Sequence, residues 1–130
     1  MHALVVDDSA SMRAILKRTL SERGFEVAAA GSGSDALLLM AQRPLDLVLI
    51  DWNMPGMNGF DLLREIRRQT RYEAVKVVMV TTETNKAEMS HALAAGANEY
   101  IMKPFTPDVV YDKLRLAGLP VAHAEAVECV

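Results

Sequence analysis

Short apolar runs alternate along this chain with segments in which apolar residues recur at helical spacing, and this alternation constrains the fold more than any other feature. Parallel strands cannot be joined by a tight turn, so each pair needs a crossover connection, which a helix usually supplies. The alternation therefore predicts an α/β domain with one parallel sheet and helices on both faces. The predicted strands cover residues 3–6, 26–29, 47–51, 76–81 and 99–102, and the predicted helices cover residues 12–20, 34–42, 59–69, 85–95 and a stretch from 106 onward.

Glycine, proline and threonine mark several of the predicted helix boundaries. Gly24 and Gly96 follow helical segments at the position where a glycine commonly ends a helix. Thr106, Pro107 and Asp108 are typical of a helix start, because threonine caps the first turn, proline is tolerated there and an acid suits its dipole. These residues therefore mark the ends of the predicted first and fourth helices and the start of the last one.

Asp51 ends the most apolar of the predicted strands. The run LVLI at 47–50 is continuous rather than alternating, which is typical of a strand buried on both faces. Pro55 and Gly56 then predict a turn. Asp51 therefore stands at a junction between strand and loop, which is where open α/β sheets bind their ligands.

Other polar side chains stand at the corresponding ends of the neighbouring strands. Asp7 and Asp8 follow the first strand, Thr81 ends the fourth and Lys103 follows the fifth. If the strand order is 2-1-3-4-5, the first and third strands are adjacent and their three carboxylates converge. We therefore expect three acids, a hydroxyl and an ammonium group at one edge of the sheet.

Clustered carboxylates predict a divalent cation, because they repel one another unless positive charge intervenes. Mg²⁺ is the natural choice: it prefers oxygen ligands and an open site, and these strand ends carry none of the histidine or cysteine that Zn²⁺ favours. Lys103 and Thr81 would hold an anion such as a phosphoryl group. The arrangement favours phosphoryl transfer to Asp51 as the nucleophile, with Asp7 and Asp8 better placed to hold the metal.

Composition narrows the range of functions. The chain has 130 residues, a net charge of −3 and a single cysteine, so neither nucleic acid nor an anionic membrane is a favoured partner and no disulfide framework is expected. No apolar run has the length of a membrane span, and no basic leader precedes the first strand. We expect a cytoplasmic protein with one domain at residues 1–118 and a loosely held C-terminal tail at residues 119–130.

These motifs together resemble the receiver domain of bacterial response regulators. The resemblance extends from residue 4 to about residue 116 and is closest to the stand-alone regulators of chemotaxis. It implies the flavodoxin-like (βα)5 doubly wound sheet with strand order 2-1-3-4-5. The motifs that carry it are Asp7-Asp8, the stretch DWNMPGMNG at 51–59, Thr81 and Lys103-Pro104-Phe105.

The resemblance implies a role for each of the polar residues at this edge of the sheet. Asp51 matches the phosphoacceptor, and it matches a Mg²⁺ ligand together with Asp8 and the backbone carbonyl of Asn53. Asp7 matches the acid that reaches the metal through water, and Lys103 matches the lysine that contacts the phosphoryl group.

Further positions match the parts of the family that respond to phosphorylation. Thr81 matches a hydroxyl that moves toward the phosphoryl group, so that Thr81, Asp51 and Lys103 make up the expected catalytic set. Tyr100 matches an aromatic switch that turns inward behind Thr81, and Asn53 and Glu83 match positions that tune dephosphorylation.

The resemblance also implies the partners. A histidine kinase would be the phosphodonor, a protein such as the flagellar motor switch would be the target, and a phosphatase is a further possible partner of what we expect to be a monomer. Such a protein is a signalling switch rather than an enzyme, although it catalyses its own phosphorylation and dephosphorylation. A phosphorelay intermediate, a phosphate sink and a receiver cut from a larger regulator are alternatives within the family.

Two alternatives lie outside the receiver family. A metal-dependent aspartyl phosphatase usually places its two acids one residue apart after the first strand, whereas Asp7 and Asp8 are adjacent. A flavin carrier with the same sheet would need hydroxyl and aromatic side chains at the mouth in place of acids. Both alternatives fit the sequence less well than the receiver.

Overall fold

The chain folds into a five-stranded parallel sheet with helices on both faces, and the strand order is β2-β1-β3-β4-β5. The computed structural model describes residues 1–82 and 86–122. The predicted flavodoxin-like α/β fold and its strand order are confirmed. The strands are β1 (His2–Val6), β2 (Glu26–Ala30), β3 (Leu47–Asp51), β4 (Lys76–Thr82) and β5 (Glu99–Lys103). The helices are α1 (Ala10–Ser21), α2 (Gly33–Gln42), α3 (Gly59–Arg67), α4 (Lys86–Ala94) and α5 (Pro107–Leu116), with a short 3-10 turn at Thr70–Tyr72.

The strand β3 lies at the centre of the sheet and is buried along its whole length. Its side chains alternate between two cores. Val48 and Ile50 pack with the helices α2, α3 and α4, while Leu47 and Leu49 pack with α1 and α5. The continuous apolar run in the sequence therefore reflects a strand covered on both faces.

Side-chain caps begin the helices that follow β1, β3 and β5. The side chains of Ser9, Asn58 and Thr106 each accept a hydrogen bond from a backbone N–H in the first turn of α1, α3 and α5. The predicted start of the last helix at Thr106 is confirmed. Because these caps lie at the carboxyl edge of the sheet, they fix the loops that carry the polar strand ends.

No helix in the described ranges is both long and apolar enough to cross a membrane.

Glycines end α1 and α4 where the sequence predicts helix stops. Gly24 follows α1 with φ of 88° and Gly96 follows α4 with φ of 116°. Both values lie in the left-handed region that glycine adopts without a steric penalty. The chain therefore turns back toward the sheet at these two residues.

The first residues of the expected tail are packed. Leu119 and Val121 are buried beside α1 and α5. Arg115 donates hydrogen bonds to the carbonyl oxygens of Val121 and Ala122, at 2.9 Å and 3.1 Å. The packed part of the chain thus extends beyond residue 118 to Ala122, and residues 123–130 lie outside the described part.

Candidate phosphorylation and metal site

Three acids meet at the carboxyl edge of the sheet, as the strand order requires. The strands β1 and β3 are paired in parallel up to Val6 and Ile50, so the residues that follow them emerge side by side. Asp7, Asp8 and Asp51 each offer a carboxylate oxygen within 4.8 Å of the others. Asp7 and Asp51 are buried whereas Asp8 is exposed, so the cluster opens to solvent on one side.

Lys103 places a positive charge against the two buried acids. Its Nζ lies 3.1 Å from Oδ1 of Asp51 and 3.6 Å from Oδ2 of Asp7. The residue ends β5 and precedes the cis peptide bond to Pro104. Because three quarters of the lysine side chain is shielded from solvent, its charge acts on the acids with little screening.

The surroundings of Asp51 pull its pKa in opposite directions. Burial of the carboxyl group is the largest influence and raises the pKa, and the nearby Asp7 carboxylate also raises it. The hydrogen bond and charge of Lys103 and the backbone N–H of Asn53 oppose this rise. The net result is a raised pKa, with burial of the carboxyl group as its main cause.

The residues present fit a Mg²⁺ ion. Oδ1 of Asp7 accepts a hydrogen bond from the backbone N–H of Ser9 at 2.9 Å, whereas its Oδ2 is buried and accepts none from the described residues. The ammonium group of Lys103 lies 3.6 Å from this oxygen without donating a hydrogen bond, so its negative charge is only partly offset and a cation in direct contact would stabilise it. Oxygen donors from Asp7, Asp8 and Asp51 are the ligands that Mg²⁺ prefers. Asn53, the fourth predicted ligand, lies in the exposed loop after Asp51.

Thr81 and Tyr100, the predicted switch residues, lie on β4 and β5. Thr81 is 4% exposed, and its hydroxyl donates to the carbonyl oxygen of Thr82 at 3.2 Å. Tyr100 is half-buried opposite Met79, and the ammonium group of Lys113 lies 4.3 Å from its ring centroid. Both residues are near the carboxyl half of the sheet, and their switch roles remain predictions. Glu83, a predicted tuning position, lies outside the described residues.

Two contacts around the acids have no counterpart in the sequence predictions. Gly59 begins α3 so close to the end of β3 that a Cβ atom there would overlap the carbonyl oxygen of Asp51. Arg13 extends from α1 and donates to the carbonyl oxygen of Asp7 at 2.7 Å. The signal for Gly59 is its place at the end of the motif DWNMPGMNG. Arg13 belongs to the stretch from Asp7 to Arg13 that resembles the stand-alone chemotaxis regulators, but the resemblance assigned it no role at the site.

The chain belongs to the response regulator receiver domain family, whose sequence model matches residues 3–115. Its relatives include chemotaxis proteins. It is 48% identical to the chemotaxis protein CheY1 of Helicobacter pylori over 118 residues, covering 89% of this chain and 95% of that protein. It is 42% identical to the chemotaxis protein CheY of Pseudomonas aeruginosa over 115 residues, covering 88% of this chain and 93% of that protein.

Solved structures agree with this membership. The chemotaxis protein CheY4 of Vibrio cholerae superposes with a TM-score of 0.83 at 35% identity, covering 88% of this chain and 95% of that chain. The predicted resemblance to receiver domains, and among them to the stand-alone regulators of chemotaxis, is confirmed.

Proposed function

We propose that this receiver is a phosphorylation-controlled switch in chemotaxis signalling, with Asp51 as the residue that takes the phosphoryl group. The observation that carries the proposal is the site itself: the buried Asp51 carboxylate lies 3.1 Å from Lys103 and within 4.8 Å of Asp7 and Asp8. A carboxylate nucleophile flanked by an ammonium group and by metal-binding acids has what phosphoryl transfer requires.

The chemistry assigns one task to each side chain. A carboxylate oxygen of Asp51 forms a bond to phosphorus as the bond from phosphorus to the donor histidine nitrogen breaks, and the imidazole leaves with the electron pair. Lys103 offsets negative charge on the phosphoryl oxygens. Asp7, Asp8, Asp51 and the Asn53 carbonyl would hold Mg²⁺, which supplies further charge neutralisation when bound. In hydrolysis, water attacks phosphorus and Asp51 is released as a carboxylate.

The proposed response to phosphorylation involves Thr81 and Tyr100. A phosphoryl group on Asp51 offers new acceptors to the Thr81 hydroxyl, which at present donates to a backbone carbonyl at 3.2 Å. Movement of that hydroxyl would free space behind it for the half-buried Tyr100 ring. Phosphorylation thus favours one of two conformations and changes the surface around β5.

The chemotaxis assignment follows from the relatives, which are named as chemotaxis proteins at 42% and 48% identity. We assign a histidine kinase as the phosphodonor and a flagellar motor switch protein as the target, with a phosphatase as an additional partner. The proposed unit is a cytoplasmic monomer with its receiver domain at residues 1–118 and a tail at residues 119–130, of which the part up to Ala122 packs against the domain. It acts as a switch and turns over no substrate other than its own phosphoryl group, at a rate tuned by Asn53 and Glu83.

Intact-mass spectrometry tests the phosphorylation step. The protein is incubated with acetyl phosphate and Mg²⁺, and one phosphoryl group is expected on the wild type and none on Asp51→Asn. Asp61→Asn, which removes an exposed acid at the start of α3, is the matched control and should be phosphorylated like the wild type. Equal labelling of wild type and Asp51→Asn would contradict the assignment of Asp51.

Capture from the source cell's lysate tests the output. The immobilised protein is compared with and without Mg²⁺ and beryllofluoride, which mimics a phosphoryl group on aspartate, and Asp51→Asn serves as control. Retention of a motor switch protein by the activated wild type alone supports the chemotaxis role. Retention of a phosphotransfer protein would favour a phosphorelay instead, and retention that ignores both beryllofluoride and the substitution would remove the switch.

A further inference from the structure

Arg13 donates a hydrogen bond to the peptide group that joins the first two acids of the site. Its Nη1 lies 2.7 Å from the carbonyl oxygen of Asp7, and that carbonyl belongs to the peptide between Asp7 and Asp8. Arg13 forms no ion pair with another described residue. Its described polar contact is therefore to the backbone of the acid pair and not to either carboxylate.

Gly31 makes room for this guanidinium group. A Cβ atom at Gly31 would lie 3.2 Å from Nη1 and 3.8 Å from Cζ of Arg13. The φ of Gly31 is outside the left-handed region, so alanine could adopt its backbone conformation. A methyl group at Gly31 would therefore crowd the Arg13 guanidinium group, which would have to shift by a few tenths of an ångström. The carbonyl oxygen of the neighbouring Ala30 accepts a hydrogen bond from the backbone N–H of Asp7 at 3.1 Å. This bond links the backbone of Asp7 to the end of β2.

The side chain of Asp8 depends on this backbone for its place. Asp8 is exposed, and its carboxylate forms no hydrogen bond or ion pair with the described residues. Asp7 differs, since its side chain is buried and accepts from the Ser9 N–H at 2.9 Å. The peptide between Asp7 and Asp8 therefore sets the position of the Asp8 Cα and the direction of its Cα–Cβ bond, from which the carboxylate extends.

We propose that Arg13 is a positioning residue of the metal site, and that its guanidinium group, seated over Gly31, fixes the peptide between Asp7 and Asp8 so that both acids face the same ion. The proposal rests on the Mg²⁺ binding proposed above. Groups that orient metal ligands typically change metal affinity by about 10- to 100-fold when removed. Arg13 would orient two ligands at once through one carbonyl.

Titration calorimetry with Mg²⁺ tests the proposal on the protein without phosphodonor. We expect Arg13→Met to weaken Mg²⁺ binding about tenfold. Arg13→Lys should recover part of the loss, because an ammonium group can still donate to the Asp7 carbonyl. The matched control is Arg18→Met, which removes an exposed arginine from the same helix and should leave the affinity unchanged.

Gly31→Ala provides a second variant that keeps Arg13. It should weaken Mg²⁺ binding several-fold in the wild type by displacing the guanidinium group, and should have no further effect in Arg13→Met. This double-mutant cycle isolates the contact between the two residues. Thermal unfolding of each variant without Mg²⁺ provides the readout that separates positioning from a general loss of stability.

The outcomes are distinct. Lower unfolding midpoints with unchanged Mg²⁺ affinity in Arg13→Met and Gly31→Ala would assign both residues a structural role and overturn the proposal. An equal effect of Gly31→Ala with and without Arg13 would also overturn it. Failure of the wild type to bind Mg²⁺ would instead overturn the proposed metal site, which is the assumption on which the positioning role depends.

Discussion

Among single residues, Asp51 carries a carboxyl group whose burial disfavours the ionised form. Because its pKa is raised in the folded protein, the folded state holds this proton at pH values where the unfolded chain has already released it. The contribution of Asp51 to stability is therefore most favourable below its ordinary pKa and is lost as the pH rises through the raised value. Above the raised pKa, the ionised Asp51 lowers the stability of the metal-free protein.

Asp51→Asn should therefore stabilise the protein at pH 7 in the absence of Mg²⁺. We expect a gain of about 1 kcal/mol, or roughly 4 °C in the unfolding midpoint. The gain should shrink as the pH falls through the raised pKa of Asp51, because the wild-type carboxyl group is then also neutral. Thermal unfolding over a pH series measures both effects. Asp8→Asn, at an exposed acid, should change the midpoint less, and an Asp51→Asn midpoint below that of the wild type would contradict the electrostatic account.

Gly59→Ala should be one of the most damaging single substitutions near the site. The added Cβ would overlap the Asp51 carbonyl and come within 2.9 Å of the Trp52 Cα, and neither backbone atom can move without shifting β3. We expect a loss of about 3 kcal/mol in urea unfolding. Gly33→Ala is the matched comparison, because its Cβ would meet the flexible thioether of Met57 at 2.7 Å. A similar loss in both variants would contradict the importance of the backbone contact.

Among the elements, Arg67 joins α3 to the loops that lead into β4 and β5. Its guanidinium group donates to the carbonyl oxygens of Gly96, Tyr72 and Val75 at 2.8–3.0 Å, and to Oδ1 of Asn98 at 2.9 Å. Burial lowers the pKa of Arg67, and no carboxylate pairs with it among the described residues. The arginine thus satisfies backbone groups at the end of the sheet opposite the acids.

Arg67→Met should lower the free energy of unfolding by about 3 kcal/mol, because several buried acceptors lose their donor at once. Urea unfolding measures the loss, and hydrogen exchange should show faster opening at the start of β5. Arg68→Met is the control at the next position: Arg68 is exposed and pairs with Glu65, so its loss should cost less than about 1 kcal/mol. Equal losses at the two positions would contradict the role of the Arg67 contacts.

Lys113 on α5 contacts the ring of Tyr100 in its present position. Its Nζ lies 4.3 Å from the ring centroid and 3.4 Å from Oε1 of Glu99. If Tyr100 turns inward on activation, the contact with the ring is lost. Lys113→Met should then raise the affinity for beryllofluoride about threefold, since a contact of this kind contributes about 0.5–1 kcal/mol. Fluorescence of Trp52, which adjoins Asp51, follows the titration, with Lys17→Met as control. An unchanged or weaker affinity would contradict this role of Lys113.

Sequence patterns predict the elements and the acids better than they predict these arginines. Asp7, Asp51 and Lys103 could be placed together because strand ends at one edge of a parallel sheet must meet. Arg13 and Arg67 donate mainly to backbone carbonyls, and every residue has such a carbonyl, so no side-chain pattern indicates the partner. Their contacts depend on loop geometry that only the folded chain defines.

For the whole molecule, the fold was predictable because the spacing of the apolar residues matches the way each element is buried. The central strand is apolar throughout and is covered on both faces, whereas the helices have apolar residues at helical spacing. The boundary at residue 118 rested instead on the weak pattern that follows the glycine there. Leu119 and Val121 flank Pro120 beyond the end of the last helix, and two apolar residues are too few to show a helical or strand period in the sequence. Whether such residues are buried depends on the direction in which the chain leaves α5, which the sequence pattern does not specify.

A chain that ends after residue 118 should be less stable than one that ends after residue 122. The shorter chain loses the buried side chains of Leu119 and Val121 and two acceptors of Arg115. We expect a difference of about 3 kcal/mol in urea unfolding, since each buried aliphatic side chain contributes about 1.5–3 kcal/mol and part of this is offset by chain entropy. Equal stability of the two chains would place the boundary of the folded domain at residue 118.

The lysine between the buried acids also sets the valence of the ion that suits the site. Three carboxylates face one ammonium group, which leaves two negative charges without compensation. One divalent ion restores electroneutrality, whereas a single potassium or sodium ion leaves the cluster anionic and a trivalent ion overshoots. Selection by valence therefore follows from Lys103 as much as from the acids, and the choice between Mg²⁺ and Ca²⁺ is left to ion size.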